Sequence, residues 1–372
     1  MERRKYIKWY YRDFTAMNVI NFGPGAYDLP SPDPLRLTQW LGNKTESKSI
    51  KLIDIRKLDG GALHENWICQ YFFEDGLFEG RQEFVLRMAP LNKLPQSLTL
   101  NQEYKLLRFL NETNILVPKV FFLAPPSTIS DDEVLVMQAL KGTSRPLELM
   151  KNAHTIENQN TMTRLLGKHS ARIHNIEPKA DILNFLTTPK VSPVHQNLLL
   201  FEKILDSLSS PLPLLEWAVR WLNKNEPTER EIRLSHGDLR VGNIMFNNTS
   251  LTGILDWEFA SWSDPLEDIG WLCARCWRYG NDNKRVGGIG ELNDFISAYD
   301  EISNSTINWS NLPYWEILAT VKWALIAHQQ GQRNLSDRKK RLELLLTEQK
   351  ADEIEYDILN QIKKFDGSAH AK

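Results

Sequence analysis

Cysteine is scarce in this chain of 372 residues: only Cys69, Cys273 and Cys276 are present. They are too few and too clustered for the disulfide framework of a secreted domain, and they point to a reducing compartment. No apolar run approaches the roughly 18 residues that span a membrane. The opening stretch "MERRKYIKWYYRDF" mixes charges with aromatics and has no apolar core of signal-peptide type, so a cytoplasmic location is expected. Neither sign of charge prevails. Lys and Arg number 45 against 47 Asp and Glu, a net of −2, so no strong field recruits nucleic acid or an anionic membrane. The sequence also lacks a P-loop and a Gly-x-Ser-x-Gly nucleophile turn. Internal repeats and low-complexity segments are missing too. What remains is an ordinary globular composition, 42% hydrophobic and 25% charged, long enough for one large or two smaller domains.

Residues 1–34 are aromatic and basic, then rich in Gly and Pro, and read as an arm. "DPLRLTQWLGN" predicts a helix with Asp33 as N-cap and Pro34 at its first position. Three strand patterns follow: "SIKLIDIRKL", "NWICQYFF" and "QEFVLRMA". The first two are joined through Gly60 and Gly61. Such a pair either turns backbone N–H groups toward a ligand or makes an ordinary hairpin turn. "TLNQEYKLLRFLNET" is an amphipathic helix with Leu100, Tyr104, Leu107 and Leu110 on one face. It leads through "ILVPKVFFLAP" to a further strand, "DEVLVMQAL". Beyond Gly142 the pattern is almost wholly helical, in "NTMTRLLGKHSARIHNIE", "NLLLFEKILDSL" and "PLLEWAVRWLNKN", and again from "YWEILATVKWALIAHQQGQR" onward. The expectation is an α+β chain: a sheet-based lobe over residues 35–140, a hinge near Gln138 to Gly142, a helical lobe over 141–364 and a short tail, 365–372.

Two stretches carry chemistry, "LSHGDLRVGNIMF" (234–246) and "GILDWEFASWSDPLEDIGW" (253–271). Asp238 follows His236-Gly237, a turn from which a carboxylate can emerge to accept a proton from an attacking hydroxyl. Asn243 and Asp256 add one neutral and one charged oxygen, the sparse ligation that Mg²⁺ prefers when phosphate and water complete its shell. That combination suits phosphoryl transfer from a metal-bound nucleotide. Lone aspartates also cap loops, but five spaced matches (His236, Asp238, Asn243, Asp256, Glu258) make coincidence a poor explanation.

These motifs resemble those of the aminoglycoside phosphotransferase and choline kinase group, small-molecule kinases with a protein-kinase-like fold. The branch they look most like is the kinase-like domain that precedes certain acyl-CoA dehydrogenases. The resemblance covers roughly residues 35–345. It implies a small sheet-based N-lobe and a large helical C-lobe with ATP between them. It makes Asp238 the catalytic base, Asn243 and Asp256 the magnesium ligands, and Glu258 a residue near metal or substrate. Asp268 would be the buried helix-start acid that holds the catalytic loop, or a plain first-turn acid. Arg87, with Glu103 as partner, stands where many relatives have Lys, and Arg offers a bidentate contact where Lys is a point charge. Gly60 and Gly61 would cover the phosphates, with Leu63 and His64 replacing the usual small polar residues. The segment Gln138 to Leu140 would offer its backbone to adenine.

Other features carry less. Cys273-Ala274-Arg275-Cys276 reads as buried thiols inside a helix. His169 and His174 diverge on a helix and do not form a metal pair. "VGGIGEL" reads as a surface loop without the helix of a dinucleotide site. Trp217, Trp221, Trp271, Trp277, Trp315 and Trp323 fall in helical segments, most of them as core, one or two as walls of a substrate cleft. The leading expectation is an ATP- and Mg²⁺-dependent kinase for a small-molecule hydroxyl, a hydroxyacyl-CoA or similar apolar compound, with no nucleic acid or membrane partner. An aminoglycoside, choline or other amino-alcohol kinase and a nucleotide-binding pseudokinase are the alternatives. A protein kinase is disfavoured, because the next helix begins by Leu266 and leaves no long activation loop.

Overall fold

The computed structural model describes residues 32–58, 65–89, 96–178, 181–228, 231–336 and 349–369. The first elements are α1 (Pro34–Thr45), β1 (Ile50–Lys57), β2 (Asn66–Phe73), β3 (Gly80–Met88), α2 (Leu100–Asn111), β4 (Val120–Ala124) and β5 (Val134–Gln138). Helices α3 (Pro146–Asn152), α4 (Ile156–His174), α5 (Pro193–Ser207) and α6 (Pro213–Lys224) follow. Four short strands come next: β6 (Arg233–Ser235), β7 (Ile244–Asn247), β8 (Ser250–Ile254) and β9 (Ser261–Ser263). The last helices are α7 (Pro265–Cys273), α8 (Leu292–Asp300), α9 (Leu312–Ser336) and α10 (Ala351–Ala369). No helix among the described residues is long and apolar enough to cross a membrane.

Local sequence accounts for the main starts. Asp33 accepts from the N–H groups of Leu35 and Arg36 while Pro34, which has no N–H to satisfy, opens α1. Thr99 and Gln102 form a reciprocal capping box at the start of α2. The buried stripe of α2 is Leu100, Glu103, Leu106, Leu107 and Leu110. Tyr104, assigned by its spacing to this face, is only half-buried. The stripe is centred near Glu103, and Tyr104 lies roughly 100° round the helix from it.

The five-stranded sheet is antiparallel throughout, in the order β1-β2-β3-β5-β4. β4 lies inside the segment read from sequence as a connection. It is five residues long and its pairing slips between Val120 and Phe122, so it gives no clean alternation to read. Behind the sheet a core forms from Leu37 and Leu41 of α1 with Tyr71, Phe73, Phe84, Leu86 and Val136.

The chain separates into two compact units. Of the described residues, one unit holds those up to 147 together with 244–259, and the other holds those in 148–243 and from 260 onward. The sequence placed 244–259 in the helical lobe, whereas its hydrogen bonds tie it to the sheet unit. Phe246 exchanges main-chain hydrogen bonds with Thr143, at 2.8 and 2.9 Å, and Ile254 N donates to Leu116 O at 2.8 Å. Gly142 has φ +118° there, and a Cβ on it would stand 2.1 Å from Phe246 O. The turn requires glycine on both counts.

Two details of the helical unit differ from the sequence reading. The Cys273–Cys276 stretch is not within one helix. α7 ends at Cys273, and Cys276 sits on the short 3₁₀ turn Arg275–Trp277. Residues 286–290 are buried, not a surface loop, and α8 begins two residues later. Their glycines permit that burial: a Cβ on Gly290 would lie 1.7 Å from Thr163 Oγ1, and one on Gly287 2.0 Å from Val241 Cγ2.

Candidate active site

In the sheet unit, Arg87 on β3 is the centre of a charged cluster. Its Nε donates to Glu103 of α2 at 3.0 Å, and its Nη2 meets Asp256 at 2.5 Å and Glu258 at 3.9 Å. Arg87, Glu103 and Glu258 are nearly inaccessible, while the Asp256 side chain keeps 24% of its surface. Burial acts to lower the Arg87 pKa, but the charges of Glu103, Asp256 and Glu258 outweigh it and hold the guanidinium firmly protonated. This is no surface ion pair. The Arg87 guanidinium is shared among three carboxylates, of which Asp256 is the exposed one. Asp256 also has φ +67°, a left-handed backbone uncommon outside glycine, asparagine and aspartate.

An exposed carboxylate such as Asp256 suits a divalent cation. Among the described residues no three or more His, Cys, Asp or Glu converge as a complete protein cage. Mg²⁺ does not need one, because it is usually held by one or two carboxylates and completes its shell with water and phosphate oxygens.

In the helical unit, Asp238 follows β6 through a turn in which Gly237 has φ +79°. Its Oδ2 accepts from Asn243 Nδ2 at 2.7 Å and from Arg240 Nε at 3.1 Å, and its Oδ1 accepts from the Trp271 indole at 2.7 Å. Asn243 Nδ2 also donates to the main-chain carbonyl of Asp238 at 2.9 Å. Both hydrogens of that amide are thereby used, and Oδ1 of Asn243 is left as the atom able to accept or to ligate a cation.

Asp268, on the first turn of α7, holds this loop from below. Its two oxygens accept from the N–H groups of His236, at 2.7 Å, and Gly237, at 2.9 Å. His174 Nε2 donates to it at 3.2 Å, and His174 Nδ1 shares a hydrogen bond with the Tyr299 hydroxyl at 2.9 Å. Burial pushes the Asp268 carboxyl upward, but the His174 hydrogen bond, the charges of His174 and His236 and the His236 N–H prevail. They keep it below its ordinary value. Asp268 is therefore a loop-holding acid and not merely a first-turn residue.

The remaining expected positions are placed as follows. Gln138 ends β5, where its N–H donates to Lys119 O at 2.8 Å. Among the described residues no backbone hydrogen bond engages Leu140 two positions on, so its main chain is available. Gly60 and Gly61 lie outside the described residues. Sequence reasoning singled out neither Arg240 nor the contact of Trp271 with Asp238. Arg240 had a signal, a cation two residues after the carboxylate, whereas a tryptophan 33 residues downstream gives none.

The chain is 28% identical over 216 residues to a probable acyl-CoA dehydrogenase (IBR3) of Arabidopsis thaliana, a match covering 55% of this chain and 26% of that protein. The chain thus spans about a quarter of that relative's length. Among solved structures it resembles a candidate aminoglycoside phosphotransferase of Ralstonia eutropha, with TM-score 0.69 at 17% identity over 90% of this chain and 99% of the other. It also resembles the ternary complex of streptomycin, ATP and APH(2″)-IIa, with TM-score 0.55 at 16% identity over 81% and 91%. The fold is the two-lobed, protein-kinase-like one of these enzymes. The model of the phosphotransferase enzyme family (APH) matches residues 54–302, more than half of the chain, and the chain belongs to that family.

Proposed function

We propose that the protein transfers the γ-phosphoryl group of ATP to a hydroxyl of a small molecule, the leading acceptor being a hydroxyacyl-CoA or another hydroxy compound with an apolar chain. The observation that carries this reading is the donor set around Asp238. Its carboxylate is fixed by Asn243, Arg240 and Trp271, so it meets an acceptor hydroxyl without having to reorganise. Asp238 is the base in this reading, taking the hydroxyl proton as the oxygen attacks phosphorus. Such a base need not be strong, because the transition state of phosphoryl transfer is loose and the proton leaves late.

Asp256 and Asn243 Oδ1 would hold Mg²⁺, with Glu258 buried against Arg87 behind Asp256. The metal supplies charge neutralisation on the phosphates when bound. Arg87, fixed by Glu103, aims the Asp256 carboxylate and completes the nucleotide side, and Gln138 to Leu140 offer main chain to adenine. Gly60 and Gly61 are proposed to cover the phosphates. A bound relative in this fold carries ATP together with streptomycin, which supports ATP as donor. The likeness to an acyl-CoA dehydrogenase relative supports the acyl acceptor.

The test is incubation with γ-labelled ATP and magnesium against parallel panels of hydroxyacyl-CoAs, aminoglycosides and amino alcohols. Label is expected in a hydroxyacyl compound. Transfer only to an amino alcohol or aminoglycoside would remove the acyl acceptor and keep the kinase. ATP binding with no transfer to any acceptor would favour a pseudokinase.

A further inference from the structure

A carboxylate offers about four lone-pair positions, two on each oxygen. On Asp238, Oδ2 already accepts two donors, Asn243 and Arg240, while Oδ1 accepts only the Trp271 indole. The remaining position is on Oδ1. Granting that Asp238 is the base, an acceptor hydroxyl must bind to the oxygen that Trp271 holds, and therefore beside that indole.

Trp271 does not stand alone there. Its ring packs edge-on against Trp277 at 5.3 Å between centroids and Trp323 at 6.3 Å, and Trp277 meets Trp323 at 4.9 Å. The inner members, Trp271 and Trp277, are buried, and Trp323, Tyr279 and Ile326 packed against them are partly buried. The Trp277 indole N–H is buried and meets no partner among the described residues. An orphan donor of this kind costs about 1–3 kcal/mol unless something accepts from it.

Aromatic clusters often bind quaternary ammonium groups through their ring faces. Here the two inner rings already carry one cation each. The Arg240 guanidinium lies 5.0 Å over Trp277, and the Lys322 ammonium lies 5.2 Å over Trp271. A further cation placed beside these rings would be repelled by both charges.

We infer that the Trp271–Trp277–Trp323 cluster is the acceptor wall. In it Trp271 is a positioning residue that fixes the reactive oxygen of Asp238, and Trp323 is a specificity residue that covers the apolar body of the acceptor. The acceptor is then a neutral or anionic alcohol with an apolar chain at its carbinol carbon and an oxygen able to accept from Trp277. It is not a choline-like or polycationic alcohol.

The two roles separate kinetically. Trp271→Phe keeps an aromatic wall but removes the N–H. Trp323→Ala keeps the N–H on Asp238 and removes part of the wall. With ATP, magnesium and the N-acetylcysteamine thioester of 4-hydroxyhexanoate as acceptor, Trp271→Phe is expected to lower kcat about tenfold or more with acceptor KM within about threefold. Trp323→Ala is expected to raise acceptor KM about tenfold with kcat within about threefold. ATP KM should stay unchanged in both, and exposed Trp217→Ala serves as the neutral control. Choline and kanamycin, run in parallel, should be poor acceptors. Preference for either of these, or an unchanged acceptor KM in Trp323→Ala, or an unchanged kcat in Trp271→Phe, overturns the wall. Transfer to none of the acceptors, or normal turnover in Asp238→Ala, overturns instead the reading beneath it.

Discussion

Arg87 illustrates how much of the chemistry resides in single side chains. Replacing it with Ala would leave Glu103 and Glu258 buried without their shared cation, and removing one partner of such a group costs about 3–5 kcal/mol. Chemical denaturation should show that loss as a lower midpoint with little change in slope. Arg87→Lys should recover only part of it, because a point charge cannot bridge Glu103 and Asp256 as a guanidinium does. The proposed metal ligands call for a different measurement, nucleotide affinity with and without magnesium. Asp256→Ala should remove most of the magnesium dependence and Asn243→Ala less, since a charged oxygen contributes more than a neutral one. Affinity that is metal-independent in the parent protein would contradict both assignments. At this scale the family resemblance already named Arg87 with Glu103, which do form a buried pair at 3.0 Å, and the motif spacing named Asp238 and Asn243, which do meet at 2.7 Å. Trp271 could not be tied to Asp238, because the contact depends on how α7 packs against the catalytic loop and spans 33 residues of chain.

Among the elements, α7 holds two acids that respond to pH in opposite senses. Asp264 is its N-cap, accepting from Leu266 N–H at 2.8 Å, yet burial raises its carboxyl from 3.8 to about 7. Its folded pKa lies above its unfolded one, so between those values the folded state binds the extra proton and stability falls as pH rises from about 4 to 7. Asp268 has a lowered folded pKa, so its contribution is present above the unfolded pKa and is lost as acid protonates it in the folded state. Asp264→Asn keeps an acceptor for the cap and removes the ionisation. Its Tm should therefore exceed the parent's at pH 8 by more than at pH 5, and a gain of equal size at both values would contradict the assignment. Elements were readable from sequence where capping and periodicity agree, as in α1, α2 and β2. They failed where packing decides. β4 is short and irregularly paired, and the buried 286–290 loop rests on close approaches to Thr163 and Val241 that no local pattern announces.

For the whole molecule, the two-lobed expectation holds, while the assignment of residues to lobes follows contacts and not chain order. The chain passes from Asn243 in one unit to Ile244 in the other, so adjacent residues of one motif serve different bodies. Asp256 is thereby grouped with Arg87, as its charge requires. The family match over residues 54–302 and the structural likeness over 90% of the chain place the phosphotransferase fold beyond the motifs alone. The most direct test of the proposed mechanism is steady-state phosphoryl transfer by Asp238→Ala, measured beside its MgATP affinity. The expected result is turnover lowered at least about 10²-fold with nucleotide affinity within about twofold of the parent, because the carboxylate acts on the acceptor hydroxyl and not on the nucleotide. Turnover near that of the parent protein would contradict it.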